Sequence, residues 1–162
     1  DVYLRSASEF EAREVINEYG KAIKEMAAVN VFAGDFLLKN FGVTRLNRVV
    51  FYDYDEIGFL TDFNFRRIPE PKDPWEEMAA EPYYHVGPMD VFPEEFPRFL
   101  IGDDQHRAFL MQLHPDLFDI EFWQRVQGLH RSGKIVTVYP YRRRRAFRHL
   151  YGGEPRGAYF VE

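Results

Sequence analysis

The 162-residue chain contains no cysteine. Disulfide scaffolds, zinc ribbons and thiol catalysis are thereby excluded, and a reducing, cytoplasmic setting is expected. No apolar run approaches the roughly 18 residues that a membrane-spanning helix needs, and no signal-peptide pattern opens the sequence, so no membrane partner is expected. A Gly-rich phosphate loop is also missing. Gly152-Gly153-Glu154-Pro155-Arg156-Gly157 crowds its glycines, but it follows a helix-like basic stretch rather than a strand. His85, His106, His114, His130 and His149 show no short metal-ligand spacing and read as packing or surface residues. Ser132 and the other hydroxyls lack a nucleophile-elbow context, so serine-hydrolase chemistry is not expected. Internal repeats and low-complexity segments are absent.

What is present suffices for a core. The chain is 46% hydrophobic and 17% aromatic, with 29% charged residues, which fits one folded domain and excludes wholesale disorder. It begins with Asp1 rather than methionine, so a longer parent is expected. The net charge of −5 conceals an asymmetry: from Glu121 onward nine basic and three acidic residues give +6, while the preceding part, with 12 and 23, carries −11. An acidic body with a basic tail argues against a nucleic-acid binder and suits a site that holds cations.

Ser8 and Glu11 predict a capping box. Ile16, Tyr19, Ile23, Met26 and Ala27 then recur at three and four, marking an amphipathic helix to about Val29. Val43-Thr44 and the run from Val49 to Tyr52 flank Arg45-Leu46-Asn47-Arg48 and predict a hairpin. Three prolines between Pro69 and Pro74 mark an irregular surface stretch. Helical pieces are expected from Glu94 to Leu100, from Asp104 to Leu113, and after Asp119 as N-cap to near Gly133. A strand from Ile135 to Tyr139 and a helix from Arg142 to Tyr151 follow. The fold class is α+β and mainly helical. Trp75, Trp123 and the many Phe and Tyr read as core or domain contacts.

One region carries chemistry. Asp35 and Asn40 stand five positions apart, Asp53 closes a strand-like run, and Asp55 follows it by two. If the hairpin forms, Asn40 and Asp53 converge, offering an amide oxygen and a carboxylate as hard ligands suited to Mg²⁺. Asp35 lies just outside that pair, placed to accept a proton. Any one of these acids would serve as an ordinary turn residue; the ordered set points further.

That set resembles the catalytic machinery of protein kinases, in which a catalytic-loop Asp precedes a metal-binding Asn by five residues and a second metal-binding Asp follows a hairpin. Ala33-Gly34 stands where kinases carry His-Arg, and Asp53-Tyr54-Asp55 where they carry Asp-Phe-Gly. Glu81-Pro82 and Asp90-Val91-Phe92 match the end of an activation segment and the buried Asp beyond it only weakly. The segments Asn30 to Asp35, Lys39 to Arg45, Arg48 to Ile57, Asn64-Phe65-Arg66, Asp90 to Phe96 and Tyr139 to Arg145 more specifically resemble the bacterial isocitrate dehydrogenase kinase/phosphatase family, over nearly the whole chain. The resemblance implies that residues 1–162 are the C-terminal lobe of a kinase-like catalytic domain with a short catalytic hairpin, preceded in the parent by an N-lobe and a regulatory domain through which a nucleotide effector acts. It further implies Mg²⁺ and ATP as cofactors, isocitrate dehydrogenase and ATP/ADP as partners, and serine phosphorylation, dephosphorylation and ATP hydrolysis at one site. These reactions would set carbon flow between the citric-acid cycle and the glyoxylate bypass. On this reading Asp35 is the catalytic base, Lys39 lies beside the transferring phosphate, Asn40 and Asp53 hold the metal–nucleotide, and Asp55 serves the atypical phosphatase and ATPase activities.

No Val-Ala-Ile-Lys-like strand supplies the phosphate-pairing lysine, and Lys39 lies inside the catalytic loop, so the chain is half a site. The rival reading is a non-catalytic fragment acting as a protein-interaction module. The Arg142–Arg145 run, with Arg148, reads first as a helix face packed or solvated, next as a docking surface for isocitrate dehydrogenase, and last as a nucleic-acid contact.

Overall fold

The computed structural model describes residues 2–71, 75, 78 and 84–134. The predicted strand and helix beyond Ile135, the glycines from Gly152, the Arg142–Arg145 run and Glu81-Pro82 lie outside the described residues.

A short helix α1 (Val2–Ser6) leads into the long helix α2 (Glu9–Ala28). The capping box forms as the sequence predicts: the Ser8 hydroxyl accepts the Glu11 N–H at 3.3 Å, and Glu11 accepts the Ser8 N–H at 2.9 Å. After α2, Asn30 takes a left-handed turn (φ 64°), a conformation Asn tolerates better than most residues. Strand β1 (Val31–Ala33) follows. The hairpin of β2 (Phe41–Val43) and β3 (Val49–Phe51) pairs Phe41 with Phe51 and Val43 with Val49. Strand β4 (Ile57–Phe59) then returns antiparallel to β1, with Val31 opposite Phe59. The inner hairpin is thus nested inside an outer strand pair. A third, parallel pair joins β5 (Asn64–Phe65) to β6 (Asp90–Val91), and helices α3 (Phe96–Phe99), α4 (Asp104–Leu113) and α5 (Ile120–Arg131) complete the described chain. The fold is α+β, as expected.

Two boundaries differ from expectation. The hairpin pairs about two residues earlier on its first arm, because residues 44–48 are consumed by a turn. There the Thr44 Oγ1 accepts the Arg48 N–H at 3.1 Å, and Asn47 has φ 54°. The piece predicted from Glu94 to Leu100 divides into a 3₁₀ turn (Pro93–Glu95) and α3; Pro97 has no N–H to return to Pro93. Helix α4 spans Asp104–Leu113 as read and is capped by Asp103, whose carboxylate accepts the His106 N–H at 2.9 Å. Likewise α5 starts on Asp119 and stops near Gly133 (φ 72°) as read. Gly133 donates to His130 O at 2.9 Å and Lys134 to Leu129 O at 3.0 Å, the paired bonds of a Schellman cap.

The core is organised around Trp123 of α5, which is fully buried. Its ring meets Phe32, Phe36, Phe65, Phe96 and Phe122, stacking nearly parallel on Phe65 at 5.1 Å and edge-on to the others except Phe36. Its Nε1 donates to Leu117 O at 2.8 Å. Trp75, read with it as a core or domain contact, is 83% exposed and takes no part in this core. Gln127, also buried, donates to Leu60 O and Phe63 O and fastens α5 to the segment after β4.

His114, at the end of α4, packs into a notch of α2. A Cβ at Gly20 would stand 2.2 Å from the imidazole, so only glycine admits it. Its Nε2 meets Asn17 O and Oδ1 at 3.1 Å, while Nδ1 is buried without a partner among the described residues. Burial, then the charge of Lys24, hold its pKa below the ordinary histidine value, against the opposing Asn17 and Asp116. A histidine depressed in the folded state favours folding fully above about pH 6.5, and that contribution is lost as pH falls through the folded pKa. The unfolding midpoint should therefore drop between pH 7.5 and pH 5.5, and His114→Gln should flatten that drop. An unchanged slope in the variant would place the pH dependence elsewhere.

Candidate functional site

All five sequence-predicted site residues fall in the two segments that connect the outer strand pair to the inner hairpin. Asp35, Lys39 and Asn40 lie between β1 and β2, and Asp53 and Asp55 between β3 and β4. Two backbone hydrogen bonds clamp these segments together: Gly34 N–H to Glu56 O at 2.8 Å, and Tyr52 N–H to Asn40 O at 3.2 Å. Each clamp sits beside site residues, so strand pairing on both sides fixes how the segments face. The Tyr52 hydroxyl adds a hydrogen bond to Lys39 O.

Asp35 is partly buried, its side chain 28% exposed. One carboxylate oxygen accepts the Leu37 N–H at 2.9 Å, and the other faces Lys39 Nζ at 3.3 Å. Burial works to raise its pKa, but the Leu37 N–H, Lys39 and Asn40 together hold it below the usual aspartate value. The carboxylate is consequently ionised at neutral pH and aimed by its own loop. Lys39 is 67% exposed, so its ammonium meets solvent as well as Asp35.

Asn40 is 4% exposed at the end of a 3₁₀ turn (Leu38–Asn40). Its Nδ2 donates to Asp35 O at 3.1 Å, and among the described residues no group donates to its Oδ1. Asp53 is half-buried and accepts the Asp55 N–H at 3.4 Å; Asp55 itself is exposed. No group of three or more His, Asp or Glu suited to a metal occurs among the described residues. An uncommitted amide oxygen and one carboxylate nevertheless fit an ion such as Mg²⁺ that keeps waters and takes its other ligands from substrate phosphates. On the flank of the same loop opens a cleft of about 640 Å³, lined by Leu37, Leu38 and Lys39 together with Leu4, Leu100 and Phe109.

Residues 1–143 match the family model described as the isocitrate dehydrogenase kinase/phosphatase (AceK) kinase domain. The chain belongs to this family. It is also 54% identical over 147 residues to the isocitrate dehydrogenase kinase/phosphatase of Pectobacterium carotovorum subsp. carotovorum (strain PC1), an alignment covering 91% of the chain and 25% of that relative. The chain thus spans about a quarter of the length of the curated relative it matches.

Sequence reasoning overlooked how this cluster is held in place. Tyr19 appears in the sequence only as an apolar position of α2, yet its hydroxyl donates to Phe36 O at 2.5 Å. Gly34 and Glu56 fall within segments that resemble the family, but nothing in the sequence pairs them; their contact exists because β1 meets β4. Asp90, only weakly matched to a kinase residue, lies in a polar knot away from the cluster. It accepts Asn64 Nδ2 at 2.7 Å, Gly87 N–H at 2.9 Å and Arg66 at 2.5 Å, and these bonds hold its pKa down to about 2.

Proposed function

We propose that this segment is the C-terminal lobe of a kinase-like catalytic domain, and that the intact protein phosphorylates and dephosphorylates isocitrate dehydrogenase on a serine using Mg²⁺–ATP. Family membership supports the substrate and the paired activities. The observation that carries the mechanism is the double backbone clamp, which sets Asp35, Lys39 and Asn40 against Asp53 and Asp55. A cytoplasmic enzyme acting at the branch between the citric-acid cycle and the glyoxylate bypass fits this reading.

In the forward direction Asp35 accepts a hydrogen bond from the serine hydroxyl and takes its proton as the new O–P bond forms and the bond from the γ-phosphorus to the β-phosphate oxygen breaks, releasing ADP. Its ionised state makes it an acceptor when the serine arrives. Asn40 Oδ1 and the Asp53 carboxylate are the groups that would hold Mg²⁺ together with the nucleotide. When bound, Mg²⁺ supplies the positive charge that offsets charge on the phosphate oxygens during transfer. Lys39 leaves Asp35 to meet the transferring phosphate. Asp55, where kinases carry glycine, holds a water against phosphoserine or ATP, so that serine or ADP departs and inorganic phosphate is the other product.

The test compares three variants of the full-length protein. Asn40→Ala and Asp53→Ala should weaken Mg²⁺–nucleotide binding in calorimetric titration and depress kinase and phosphatase turnover together, because one metal serves both directions. Asp55→Gly should reduce phosphatase and ATPase turnover more than phosphorylation, since water needs a positioning acceptor that the serine finds in Asp35. A metal-ligand variant that loses only one reaction would show separate sites. Equal losses in all three assays would leave Asp55 a structural role. The isolated segment, lacking a phosphate-covering loop and a phosphate-pairing lysine, should show no turnover. Binding of isocitrate dehydrogenase without turnover by the full-length protein would favour an interaction module instead.

A further inference from the structure

Three successive carbonyls of the 35–40 loop each have a donor. Asp35 O takes Asn40 Nδ2 at 3.1 Å, Phe36 O takes the Tyr19 hydroxyl at 2.5 Å, and Leu37 O takes Asn40 N–H at 2.9 Å. The first and third donors belong to the loop itself. Of these three donors Tyr19 alone comes from outside the loop, from the buried face of α2, where it is 1% exposed; Tyr52 holds the loop's other end, at Lys39 O and Asn40 O. The same ring packs edge-on against Phe41, with centroids 4.8 Å apart and planes at 81°. Phe36 follows Asp35, and Phe41 follows Asn40.

From this we infer that Tyr19 is the positioning residue of the site: one rigid side chain grips both ends of the loop and sets the separation between Asp35 and Asn40. The side chain suits that task. A tyrosine fixes its hydroxyl with only two rotatable bonds, and helix α2 is anchored along its length by Ile16, Gly20 and Ile23, so the tether does not follow the loop if the loop shifts. Burial, and then the neighbouring charge of Asp35, raise the phenol's pKa well beyond its ordinary value, so the hydroxyl remains a donor at every working pH. A core position needing only apolar volume would be filled by phenylalanine without a hydroxyl to satisfy.

The inference rests on Asp35 being the base and Asn40 a metal ligand, and its test separates the two claims. In the full-length protein, Tyr19→Phe keeps the ring against Phe41 and removes only the tether. It should lower kcat for phosphorylation of isocitrate dehydrogenase by roughly 10-fold to 100-fold, the scale of an ångström-level misplacement, with KM for Mg²⁺–ATP within about threefold of the parent. A purely structural role would instead lower the folded fraction and leave kcat per folded molecule unchanged. Asp35→Ala is measured alongside. If it is inactive while folded Tyr19→Phe turns over within about twofold of the parent, the inference is overturned and the functional reading stands. If Asp35→Ala retains full activity, the functional reading fails and takes this inference with it. Should Tyr19→Phe not fold, Phe41→Leu decides: it keeps the hydroxyl and loosens the other grip, so an unchanged kcat there overturns the proposal and a selective fall in kcat supports it.

Discussion

Asp35→Ala in the full-length protein should reduce phosphorylation of isocitrate dehydrogenase by roughly 10²–10⁴-fold, the usual scale for loss of a positioned acid–base group. The carboxylate spends one oxygen on the Leu37 N–H and keeps the other beside Lys39. Truncation therefore removes the acceptor for the serine proton and frees the lysine at the same time. Nucleotide affinity should change little, because the ligands proposed for the metal, Asn40 and Asp53, are untouched. Steady-state kinetics with the purified substrate checks this, and activity within about threefold of the parent would sink the assignment. Asp35→Asn is a useful companion. It preserves size and the bond to Leu37 but cannot take up a proton, so its activity should fall nearly as far.

Trp123→Ala should cost about 3–5 kcal/mol of stability, the range for removing a large aromatic from a packed core. That is a large share of the roughly 5–15 kcal/mol that holds a typical domain folded. The buried indole touches five phenylalanine rings, and its Nε1 satisfies Leu117 O, so truncation leaves both a cavity and an orphan carbonyl. Two of those rings, Phe32 and Phe36, bracket Gly34 and Asp35 in sequence, so the site loop should loosen with the core. Urea unfolding followed by circular dichroism measures the loss, and Trp123→Phe should recover part of it. A cost below about 1 kcal/mol for the alanine variant would mean that the core repacks around the gap.

Local rules made much of the helical frame legible. The Ser8–Glu11 capping box, the Asp119 cap and the Gly133 stop are short-range devices, each complete within a few residues. The three-residue strands were harder to read. Three residues cannot display an alternating pattern, and Ile57-Gly58-Phe59 carries a glycine that weakens any strand reading. Strand β1 becomes a strand because β4, 24 positions away in its first register pair by residue number (Ala33 and Ile57), supplies its hydrogen bonds. The parallel β5–β6 pair depends in the same way on a distant partner.

The sequence by itself determined which groups are available for the proposed chemistry: a fixed order of Asp35, Lys39, Asn40, Asp53 and Asp55, set on either side of a hairpin. Residue identity and spacing are covalent facts, and a turn between two β-rich arms is decided by the residues in it. Only the tertiary structure decided how those groups are held. The clamp between Gly34 and Glu56, the grip of Tyr19 on Phe36 and Phe41, and the notch at Gly20 that receives His114 each join residues distant in sequence. Such contacts leave no local signature, because a buried tyrosine or glycine reads as an ordinary helix position until its partner arrives. What it binds is settled by packing, where closing the loop costs entropy that a whole core, and no single motif, offsets.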